Sequence, residues 1–590
     1  MSAGYIAVQW NRQKRVYDLV LAASLATSIG LFVAVTFLAH PDATAETALI
    51  RGLGIAGFAL LHLILAIGPL ARLDPRFLPL LYNRRHLGVA LGLLALAHAG
   101  FVLIQYHALG NADPLASVLG SNRDWTSLRD FPFEWFGLLA LVILAAMAAT
   151  SHDFWLTVLT PPAWKRLHML VYLAYVSLVL HVGLGFLQDE RHPAYTLTVA
   201  FGAVGLGLLH ILAARRERLI DTAPDQADWV DVGPADTIPE GRARIRLVGG
   251  ERVAVFRHQD RLSCVSNVCK HQNGPLGEGR IVDGCITCPW HGYQFRPHNG
   301  TSPPPFTDSI PTFNLRVEAG RVLIDRRPNP SGTAVEPVPV PGTAAAAAAP
   351  FYIGYQPKAP AGLATFLTRR IVIALILILG LIGTWAWAQS TYSVATFEYG
   401  TIRSVVGVVR MDPYPTLFVD ETPLPRPVAR YLLAGAGKHG ADAAVAGLSG
   451  HRVRIKGTLA YRDEATLLEI AAAEDLGPAT AAAPAAPRDL GVFSLDGEIV
   501  DSKCYLGVMN PGEGKTHRGC AARCLSGGTT PLFVTRAADG SRLELILVAD
   551  AMKPIAGAER FAGKRLHLTG RVYQRTGVWF LQTELPAAAP

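Results

Sequence analysis

Two short pairs of cysteine and histidine stand out near the middle of the chain. Cys269 and His271 form a C-x-H pair, and Cys288 and His291 form a C-x-x-H pair shortly after it. Two thiolates suit one iron of a 2Fe-2S unit, and two neutral imidazoles suit the other. A zinc ion takes the same four atoms, so zinc is the alternative. The mixed order within each pair and the C-P-W-H-G run favour the iron-sulfur cluster.

The segment VCKHQNGPLGEGRIVDGCITCPWHGYQF resembles the Rieske family, which holds its cluster with such pairs. The resemblance includes the turn glycines Gly274 and Gly292 and the intervening Pro289. It extends over residues 229–326, where short β-rich runs alternate with glycine and proline turns. We therefore expect a small all-β Rieske domain with Cys269, His271, Cys288 and His291 as cluster ligands.

Four residues near these pairs refine the expectation. High-potential Rieske centres carry hydroxyl donors where this chain has Tyr293 and Phe295, so the resemblance implies a low-potential, ferredoxin-like centre. Cys264 and Cys285 lie outside the ligand pattern. We expect them to be buried thiols rather than a disulfide.

A second set of chemically capable residues consists of histidines within apolar stretches, where an ionisable side chain is costly and usually has a partner or cofactor. His86 and His98 share one stretch, and His168 and His181 share another that runs in the same direction. These spacings correspond to roughly 18 and 20 Å of helix, which suits two stacked haems. His86 would pair with His168, and His98 with His181. Neither spacing returns a side chain to the same face of a straight helix, so binding of a single haem is the other possibility. At each of the four positions, the alternative to a haem ligand is a hydrogen-bonded core histidine.

The segments NRRHLGVALGLLALAHAGFVL and WKRLHMLVYLAYVSLVLH resemble the ferric reductase-like transmembrane domain, over about residues 48–215. That family uses paired histidines on its third and fifth helices as axial ligands, so the resemblance implies one or two haem b groups. His62 is left open between ligand and core residue. Larger relatives carry a flavin and nicotinamide module, but this sequence has no glycine-rich dinucleotide fingerprint in its soluble parts. A separate electron donor is therefore implied.

The elements that must position these residues are membrane helices. Half of the 590 residues are hydrophobic and only 17% are charged. A net charge of +8 does not indicate nucleic-acid binding here, because most Lys and Arg flank the apolar stretches. Stretches long enough to span a bilayer are predicted near residues 16–39, 48–71, 87–109, 134–150, 165–187, 194–214 and 371–388.

Basic residues predict the orientation of these spans. Lys14, the Arg84–Arg85 pair and the Lys165–Arg166 pair precede the first, third and fifth spans, which favours a cytoplasmic location for those ends. The Rieske domain is then cytoplasmic, and everything after Gln389 is periplasmic. We expect a multi-pass protein of the bacterial inner membrane.

The predicted architecture is a multidomain membrane protein. It combines a six-helix transmembrane bundle, an all-β Rieske domain, one further transmembrane helix and two small all-β, OB-like periplasmic domains. The predicted boundaries are 1–218 for the haem domain, 229–326 for the Rieske domain, 327–367 for a Pro/Ala-rich linker, 368–389 for the seventh helix, and 397–473 and 490–585 for the two β domains.

The second β domain gathers Cys504, His517, Cys520 and Cys524 in one short stretch. A periplasmic location permits a disulfide between two of the cysteines. Metal binding, redox-active thiols and unpaired thiols are the other possibilities. The sequence leaves the role of these four residues open.

Two redox constellations in one chain predict a transmembrane electron-transfer oxidoreductase. The expected path leads from a cytosolic reductase or ferredoxin through the Rieske cluster and b-type haem to a periplasmic acceptor. Two alternatives are exchange of electrons with membrane quinone and a non-enzymatic redox sensor or assembly protein. The sequence names neither donor nor acceptor and leaves the oligomeric state open.

Overall fold

The computed structural model describes the larger part of the chain. The described residues are 12–151, 155, 158–159, 161–221, 227–340, 351–353, 358–424, 428–479 and 486–586. Within the predicted linker, residues 341–350 and 354–357 lie outside them, as do residues 1–11 of the predicted haem domain.

Apolar helices dominate the first third of the chain. The helices are α1 (Arg12–Ala39), α2 (Ala45–Leu73), α3 (Arg84–Val102), α4 (Pro114–Gly120), α5 (Glu134–Ala149), α6 (Pro161–Met169), α7 (Val171–Leu184), α8 (Phe186–Asp189), α9 (Pro193–Asp221), α10 (Ala361–Trp387) and α11 (Arg518–Ser526). Within the described residues, six helical spans are long and apolar enough to cross a membrane. The fourth predicted span is the shorter apolar helix α5.

Helix α3 packs against α2 and α5, while α5 packs against α7. Small residues permit the close approach of α3 and α5, since a Cβ added at Gly92 would lie 2.7 Å from the Cβ of Ala148. Leu61, Leu91 and Ala140 form part of the buried core between these helices. The predicted bundle is confirmed.

The seventh span, α10, packs against α1 and begins at Ala361, seven residues before the predicted start at 368. Pro360 at its N-cap sets this start, because proline lacks the N–H that an interior helical position must donate. The side chain of Arg370 lies over the ring of Phe366, 3.5 Å from its centroid, so the added residues 361–367 supply an aromatic surface for a basic residue.

The Rieske domain is built from three small antiparallel sheets. Its strands are β1 (Trp229–Pro234), β2 (Ala243–Val248), β3 (Glu251–His258), β4 (Arg261–Ser266), β5 (Arg280–Val282), β6 (Cys285–Thr287), β7 (Gln294–Phe295), β8 (Thr312–Phe313), β9 (Leu315–Glu318), β10 (Arg321–Asp325) and β11 (Val338–Pro339). The sheets have the orders β1-β10-β9, β11-β4-β3-β2 with β8 beside β4, and β5-β6-β7. Because β11 pairs with β4, this domain continues beyond the predicted boundary at 326.

Two barrels follow α10. The strands of the first are β12 (Thr396–Phe397), β13 (Arg403–Met411), β14 (Pro415–Val419), β15 (Arg430–Ala434), β16 (His451–Arg462) and β17 (Ala465–Pro478). The strands of the second are β18 (Arg488–Asp501), β19 (Pro531–Arg536), β20 (Arg542–Ala549), β21 (Lys553–Pro554), β22 (Arg565–Arg575) and β23 (Val578–Gln582).

Both barrels close in the same way. In the first, β13-β14-β15-β17-β16 closes back on β13, and β15 runs parallel to β17. In the second, β18-β19-β20-β23-β22 closes back on β18, and β20 runs parallel to β23. A five-stranded closed barrel with this order is the OB-fold arrangement, so the predicted pair of OB-like domains is confirmed.

The barrels differ in the connection between their first two strands. Residues 412–414 join β13 to β14 in the first barrel. Residues 502–530 join β18 to β19 in the second, and this long connection carries α11 and the three cysteines. A shared core that includes Leu432, Val500 and Phe580 holds the barrels together.

Candidate redox centres

The two cysteine-histidine pairs of the Rieske domain lie on neighbouring loops. The β4–β5 loop carries Cys269 and His271, and the β6–β7 loop carries Cys288 and His291. The thiols of Cys269 and Cys288 are within hydrogen-bonding reach of each other. The rings of His271 and His291 are 5.0 Å apart at an interplanar angle of 86°. The fold thus brings all four predicted ligands together, with the thiols paired and the imidazoles paired.

This arrangement fits a 2Fe-2S cluster. Both cysteines are buried, at 1% exposure, and Nδ1 of His291 is buried with no hydrogen-bond partner among the described residues. Burial, with the nearby His271, Arg85 and Lys14, holds the pKa of His291 well below its usual range, so the ring is neutral and able to bind metal. Cys264 and Cys285 are free thiols outside this group.

Glycine at position 274 is required by the close approach of the two loops. A Cβ added there would lie 2.8 Å from Sγ of Cys288 and 3.2 Å from the ring of Trp290. Tyr293 stacks on His271 at 5.4 Å and donates its hydroxyl proton to Asp308. The Tyr293 hydroxyl is therefore engaged by a carboxylate, in keeping with the low-potential centre that we predict.

The second cluster loop rests on the membrane bundle. Trp290, between Cys288 and His291, packs against an apolar pocket formed by Ile67, Ala71, Leu78 and Leu81 at the end of α2 and in the following 3₁₀ turn. We call this the Rieske contact. Glu217 near the end of α9 also pairs with Arg252 of β3, at 3.7 Å. Arg85, in the first turn of α3, is an electrostatic neighbour of His291. The cluster loops therefore face the first turn of α3.

His98 and His181 lie close enough within the bundle to influence each other electrostatically. Nδ1 of His98 is 3.0 Å from the carbonyl oxygen of Ile50, and Nδ1 of His181 is 3.1 Å from that of Phe133. An Nδ1–H donated to a carbonyl fixes the tautomer and leaves Nε2 to bind iron. Gly137 makes room for one ring, because a Cβ there would lie 2.7 Å from His181. This pair fits the axial ligation of a haem.

The other predicted pair is arranged differently. Nδ1 of His168 is 3.0 Å from the carbonyl oxygen of Trp164, and its buried Nε2 has no hydrogen-bond partner among the described residues. His86 points towards α1, where its Nδ1 is 2.6 Å from a carboxylate oxygen of Asp18. His168 therefore has the orientation of a ligand, while Nδ1 of His86 is held by a hydrogen bond with the carboxylate of Asp18. The assignment of a second haem to His86 and His168 stays a prediction.

Two further histidines have partners that the sequence did not indicate. Nδ1 of His62 is 2.9 Å from the carbonyl oxygen of Phe58, and its Nε2 is 2.9 Å from the hydroxyl of Tyr175. His210 is 3.2 Å from the carbonyl oxygen of Leu65. With both ring nitrogens engaged, His62 has the environment of a core histidine.

The three cysteines of the second barrel come together in a buried group, which we call the thiol cluster. Sγ of Cys504 is 3.7 Å from Sγ of Cys520 and 3.9 Å from Sγ of Cys524. Hydrogen bonds from the other two thiols hold the pKa of Cys520 well below its usual range. His517 and Asp501 lie beside Cys504. The sequence grouped three cysteines and one histidine but gave no sign of the aspartate.

The thiol cluster lies against the end of α3 opposite the Rieske contact. Residues Leu103–His107 continue α3 as a π-type turn, and Tyr106 packs on the three cysteines. Sγ of Cys520 is 3.9 Å from the carbonyl oxygen of Gln105. A Cβ added at Gly519 would lie 2.7 Å from the ring of His107, so glycine permits this contact.

Four basic residues fasten the barrels to the bundle around this point, and we call them the basic contact. Arg518 donates to the carboxylate of Asp130. The remaining polar contacts are Lys564 Nζ to Asp124 at 3.0 Å, Lys438 Nζ to the carbonyl oxygen of Gln105 at 2.9 Å, Lys515 Nζ to Gln188 at 3.0 Å, and the backbone N–H groups of Lys515 and Thr516 to Asp189 at 2.9 and 2.8 Å.

A membrane bundle with inward-facing histidines, joined to a domain with a cysteine-histidine cluster site, defines a membrane-bound redox protein. Residues 53–179 match the family described as ferric reductase like transmembrane component. Residues 228–314 match the Rieske [2Fe-2S] domain.

Individual relatives match each part. The heme-binding subunit MsrQ of protein-methionine-sulfoxide reductase from Caulobacter vibrioides is 33% identical over 161 residues, which are 27% of this chain and 69% of that protein. The ferredoxin component of the alkene monooxygenase system of Xanthobacter autotrophicus is 34% identical over 107 residues, which are 18% of this chain and 88% of that protein. The ferredoxin in the carbazole 1,9a-dioxygenase complex is 28% identical, covers 17% of this chain and 96% of that one, and has a TM-score of 0.17.

The chain therefore belongs to the ferric reductase-like transmembrane family through its bundle and to the Rieske family through its first β domain. It is an oxidoreductase that acts as an electron-transfer component, with a 2Fe-2S cluster and haem b as its cofactors.

Proposed function

We propose that the protein carries electrons across the bacterial inner membrane, from a cytosolic reductase or ferredoxin to a periplasmic acceptor. The Rieske domain receives the electrons, the haem domain conducts them through the bilayer, and the barrels lie on the far side, where the electrons leave the haem domain. Each transfer oxidises the donor by one electron and reduces the acceptor by one.

One observation carries this proposal: α3 contacts a redox-capable group at each end and bears His98 between them. Arg85 in its first turn neighbours the cluster-loop residue His291. Gln105 and Tyr106, just beyond its last turn, contact the thiol cluster. A single helix thus supports a continuous sequence of centres from one face of the membrane to the other.

The proposed ligands follow from the geometry described above. Cys269, His271, Cys288 and His291 would hold the 2Fe-2S cluster, which supplies one-electron chemistry outside the bilayer. His98 and His181 would hold a haem through Nε2, each steadied by a backbone carbonyl. His86 and His168 are the proposed ligands of a second haem, at the Rieske end.

Orientation is proposed from charge. Lys14, Arg84 and Arg85 lie at the end of the bundle that meets the Rieske domain, and basic residues favour the cytoplasmic face. The Rieske domain then faces cytosolic donors. Its likeness to ferredoxin components of oxygenase systems supports a reductase or a small redox protein as that donor.

The test uses full-length protein in inside-out membrane vesicles that enclose ferricyanide. Dithionite added outside is expected to reduce the enclosed ferricyanide in the wild type. Removing a proposed ligand of either centre should stop this transfer, so His271→Ala and His98→Ala are expected to lose it. His62→Gln, which keeps a polar side chain at a position we assign to the core, is expected to retain it.

A parallel anaerobic redox titration follows haem absorbance and the EPR signal of the cluster. A cluster midpoint potential below that of haem favours outward flow, and the reverse order would overturn the proposed direction. Haem reduction at the wild-type rate in His271→Ala would remove the cluster from the path. A single haem transition would remove the assignment of His86 and His168.

A further inference from the structure

We propose that the thiol cluster of Cys504, Cys520 and Cys524, with His517 beside it, binds a thiophilic divalent transition-metal ion. The site belongs to the second barrel and lies outside both the Rieske and the haem ligand sets. Its metal binding stands on the geometry of the barrel alone, whereas its place in an electron path rests on the proposed function.

The spacing of the sulfur atoms is the first observation. Cys504 Sγ lies 3.7 and 3.9 Å from the other two sulfurs, and all three are within 4.8 Å of one another. A tetrahedral ion with metal–sulfur bonds of about 2.3 Å separates its sulfur ligands by roughly 3.8 Å. A disulfide needs about 2.05 Å between two sulfurs and leaves the third thiol without a partner. The observed spacing is that of a shared ion.

Burial is the second observation. Cys504, Cys520 and Cys524 are exposed by 4%, 2% and 1%. Buried thiolates need a proton or a cation to neutralise their negative charge, and a bound metal ion does so without exposing them to solvent. Cys520 and Cys524 lie one turn apart on α11, so a single helix face presents two ligands, and the turn that begins at Cys504 presents the third.

His517 supplies the third observation. Its ring is 2% exposed, and its Nδ1 has no hydrogen-bond partner among the described residues. Its Nε2 lies 3.2 Å from Oδ2 of Asp501, whose Oδ1 accepts the backbone N–H of Cys504. Histidines that bind metal commonly donate their other ring N–H to a carboxylate. His517 and Asp501 therefore match a ligand and its supporting residue.

The ligand atoms of Asp501, Cys504 and His517 also lie within 4.8 Å of one another. Cys504 thus belongs to two overlapping groups, one of three thiols and one with the histidine and the aspartate. A Cys₃His set is one of the common closed zinc sites. Soft thiolates also select iron and other thiophilic metals, so the class of ion follows from the ligands.

The site is seated on the membrane bundle. Gln105 contacts Cys520, and it lies seven residues after His98, which is roughly 10 Å along a helix. The ion would lie between the barrel and the end of α3. If the proposed function holds, a redox-active ion at this place would be the first centre beyond the haem of His98 and His181.

The test uses the full-length protein in detergent with its Rieske cluster in place. The thiols are reduced anaerobically, bound metal is removed with EDTA, and Co²⁺ is added as the probe. We expect one Co²⁺ per chain with a thiolate charge-transfer band and tetrahedral d–d bands. Cys520→Ser should weaken Co²⁺ binding and lower the charge-transfer band, since only two thiolates remain, and Asp501→Asn should weaken Co²⁺ binding about 10–100-fold. Cys285→Ser, which removes a cysteine of the Rieske domain, should change neither.

A charge-transfer band of wild-type intensity in Cys520→Ser would overturn the proposal. So would a stoichiometric disulfide in anaerobically isolated protein, if the reduced protein then binds no Co²⁺. Should Cys520→Ser lose its haem absorbance and so fail to fold, Asp501→Asn and His517→Gln decide the matter, because both keep all three thiols. Haem reduction is not read in this experiment, so failure of the vesicle test leaves the result on metal binding intact.

Discussion

The Rieske domain and the C-terminal barrels hold opposite ends of α3 by chemically different contacts. The Rieske contact is a single tryptophan in an apolar pocket, with one ion pair of 3.7 Å between Arg252 and Glu217 nearby. The basic contact places four basic residues on carboxylates, an amide and a carbonyl of the bundle. Apolar contacts tolerate sliding, whereas buried charge pairs require one geometry. We infer from this difference that the Rieske domain separates from the bundle more readily than the barrels do, and we call the two ends the releasable end and the fixed end.

The difference between the Rieske contact and the basic contact suits a protein that transfers electrons. Redox partners that exchange electrons in turn use small interfaces, because tight ones slow release. A Rieske domain that meets both a soluble donor and the bundle benefits from a weak contact with the bundle. The barrels, in contrast, place a buried group of thiols against the bundle and are held there by the basic contact, which favours a lasting association.

The largest expected effect concerns the haem that we propose for His98 and His181, between the two ends of α3. His181→Ala removes a proposed axial ligand, so total haem in the pyridine haemochrome assay should fall by the share of the His98–His181 site, which is half if His86 and His168 hold a second haem. His62→Gln is the matched control, since His62 has partners for both nitrogens. Equal haem content in the two variants would contradict the assignment.

The next largest effect tests the basic contact at the fixed end, where the barrels are attached to the bundle. Arg518 is 3% exposed and its guanidinium donates to Asp130, so Arg518→Ala leaves Asp130 without its buried partner. Because Asp130 is itself 23% exposed, loss of its charged hydrogen-bond donor costs about 1.5–3 kcal/mol. We expect hydrogen exchange of α11 to accelerate by the factor that corresponds to this loss of free energy. Arg571→Ala, which breaks the exposed pair with Asp489, should leave α11 protected.

A smaller effect tests the releasable end. Leu78→Ala shortens the wall of the Trp290 pocket without touching the cluster loops, and removal of a buried leucine costs about 2–3 kcal/mol at a well-packed site. The docked population should fall, so electron transfer from cluster to haem, followed by stopped-flow absorbance, should slow. The cluster EPR signal should be unchanged. An unaltered rate would show that the Rieske contact does not control transfer.

The smallest effect is a pH dependence of stability at the fixed end. Burial raises the pKa of Glu498 to about 7, although the N–H of Gly514 lowers it, and Glu513, Asp189 and His517 also face the carboxyl. Because the folded pKa lies above the unfolded one, stability is complete below about pH 4.5 and falls as pH rises through 7. We expect the barrels to lose about 1–2 kcal/mol between pH 5.5 and 7.5.

Glu498→Gln should abolish this dependence, as measured by thermal unfolding monitored at each pH. Burial also raises the pKa of Glu278 in the Rieske domain to about 7, so any pH dependence of electron transfer at that end should persist in Glu498→Gln. A pH profile of stability that persists in the variant would assign the proton to another group at the fixed end.

Local patterns predicted most of the fold. Each of the C-x-H and C-x-x-H pairs falls within one turn, so its local pattern was enough to predict a ligand loop. The apolar spans were predicted as helices because hydropathy is read over a window of neighbouring residues. The paired barrels followed from matching β patterns. The start of α10 at Ala361 was missed because the residues before Arg369 are only moderately apolar, and Pro360 decides the boundary.

Contacts between distant segments could not be predicted. The partner of His86 is Asp18 on another helix, and the partner of His62 is Tyr175. Nothing local distinguishes these histidines from His98, since the distinction depends on which carbonyl or hydroxyl the folded bundle presents. The same holds for Trp290 and Gly519, whose roles arise only when two domains meet.

The unequal connections within the two barrels suggest how such a protein arose. Barrels of the same topology in tandem are what duplication of one ancestral domain leaves behind. The copy with the short 412–414 turn retains the plain barrel, whereas the copy with residues 502–530 has acquired the cysteines, the helix and much of the surface that meets the bundle in one inserted segment. The cysteines would then have been gained together with Arg518 and Lys515, two of the four residues of the basic contact, while Lys438 and Lys564 hold the bundle from outside this segment.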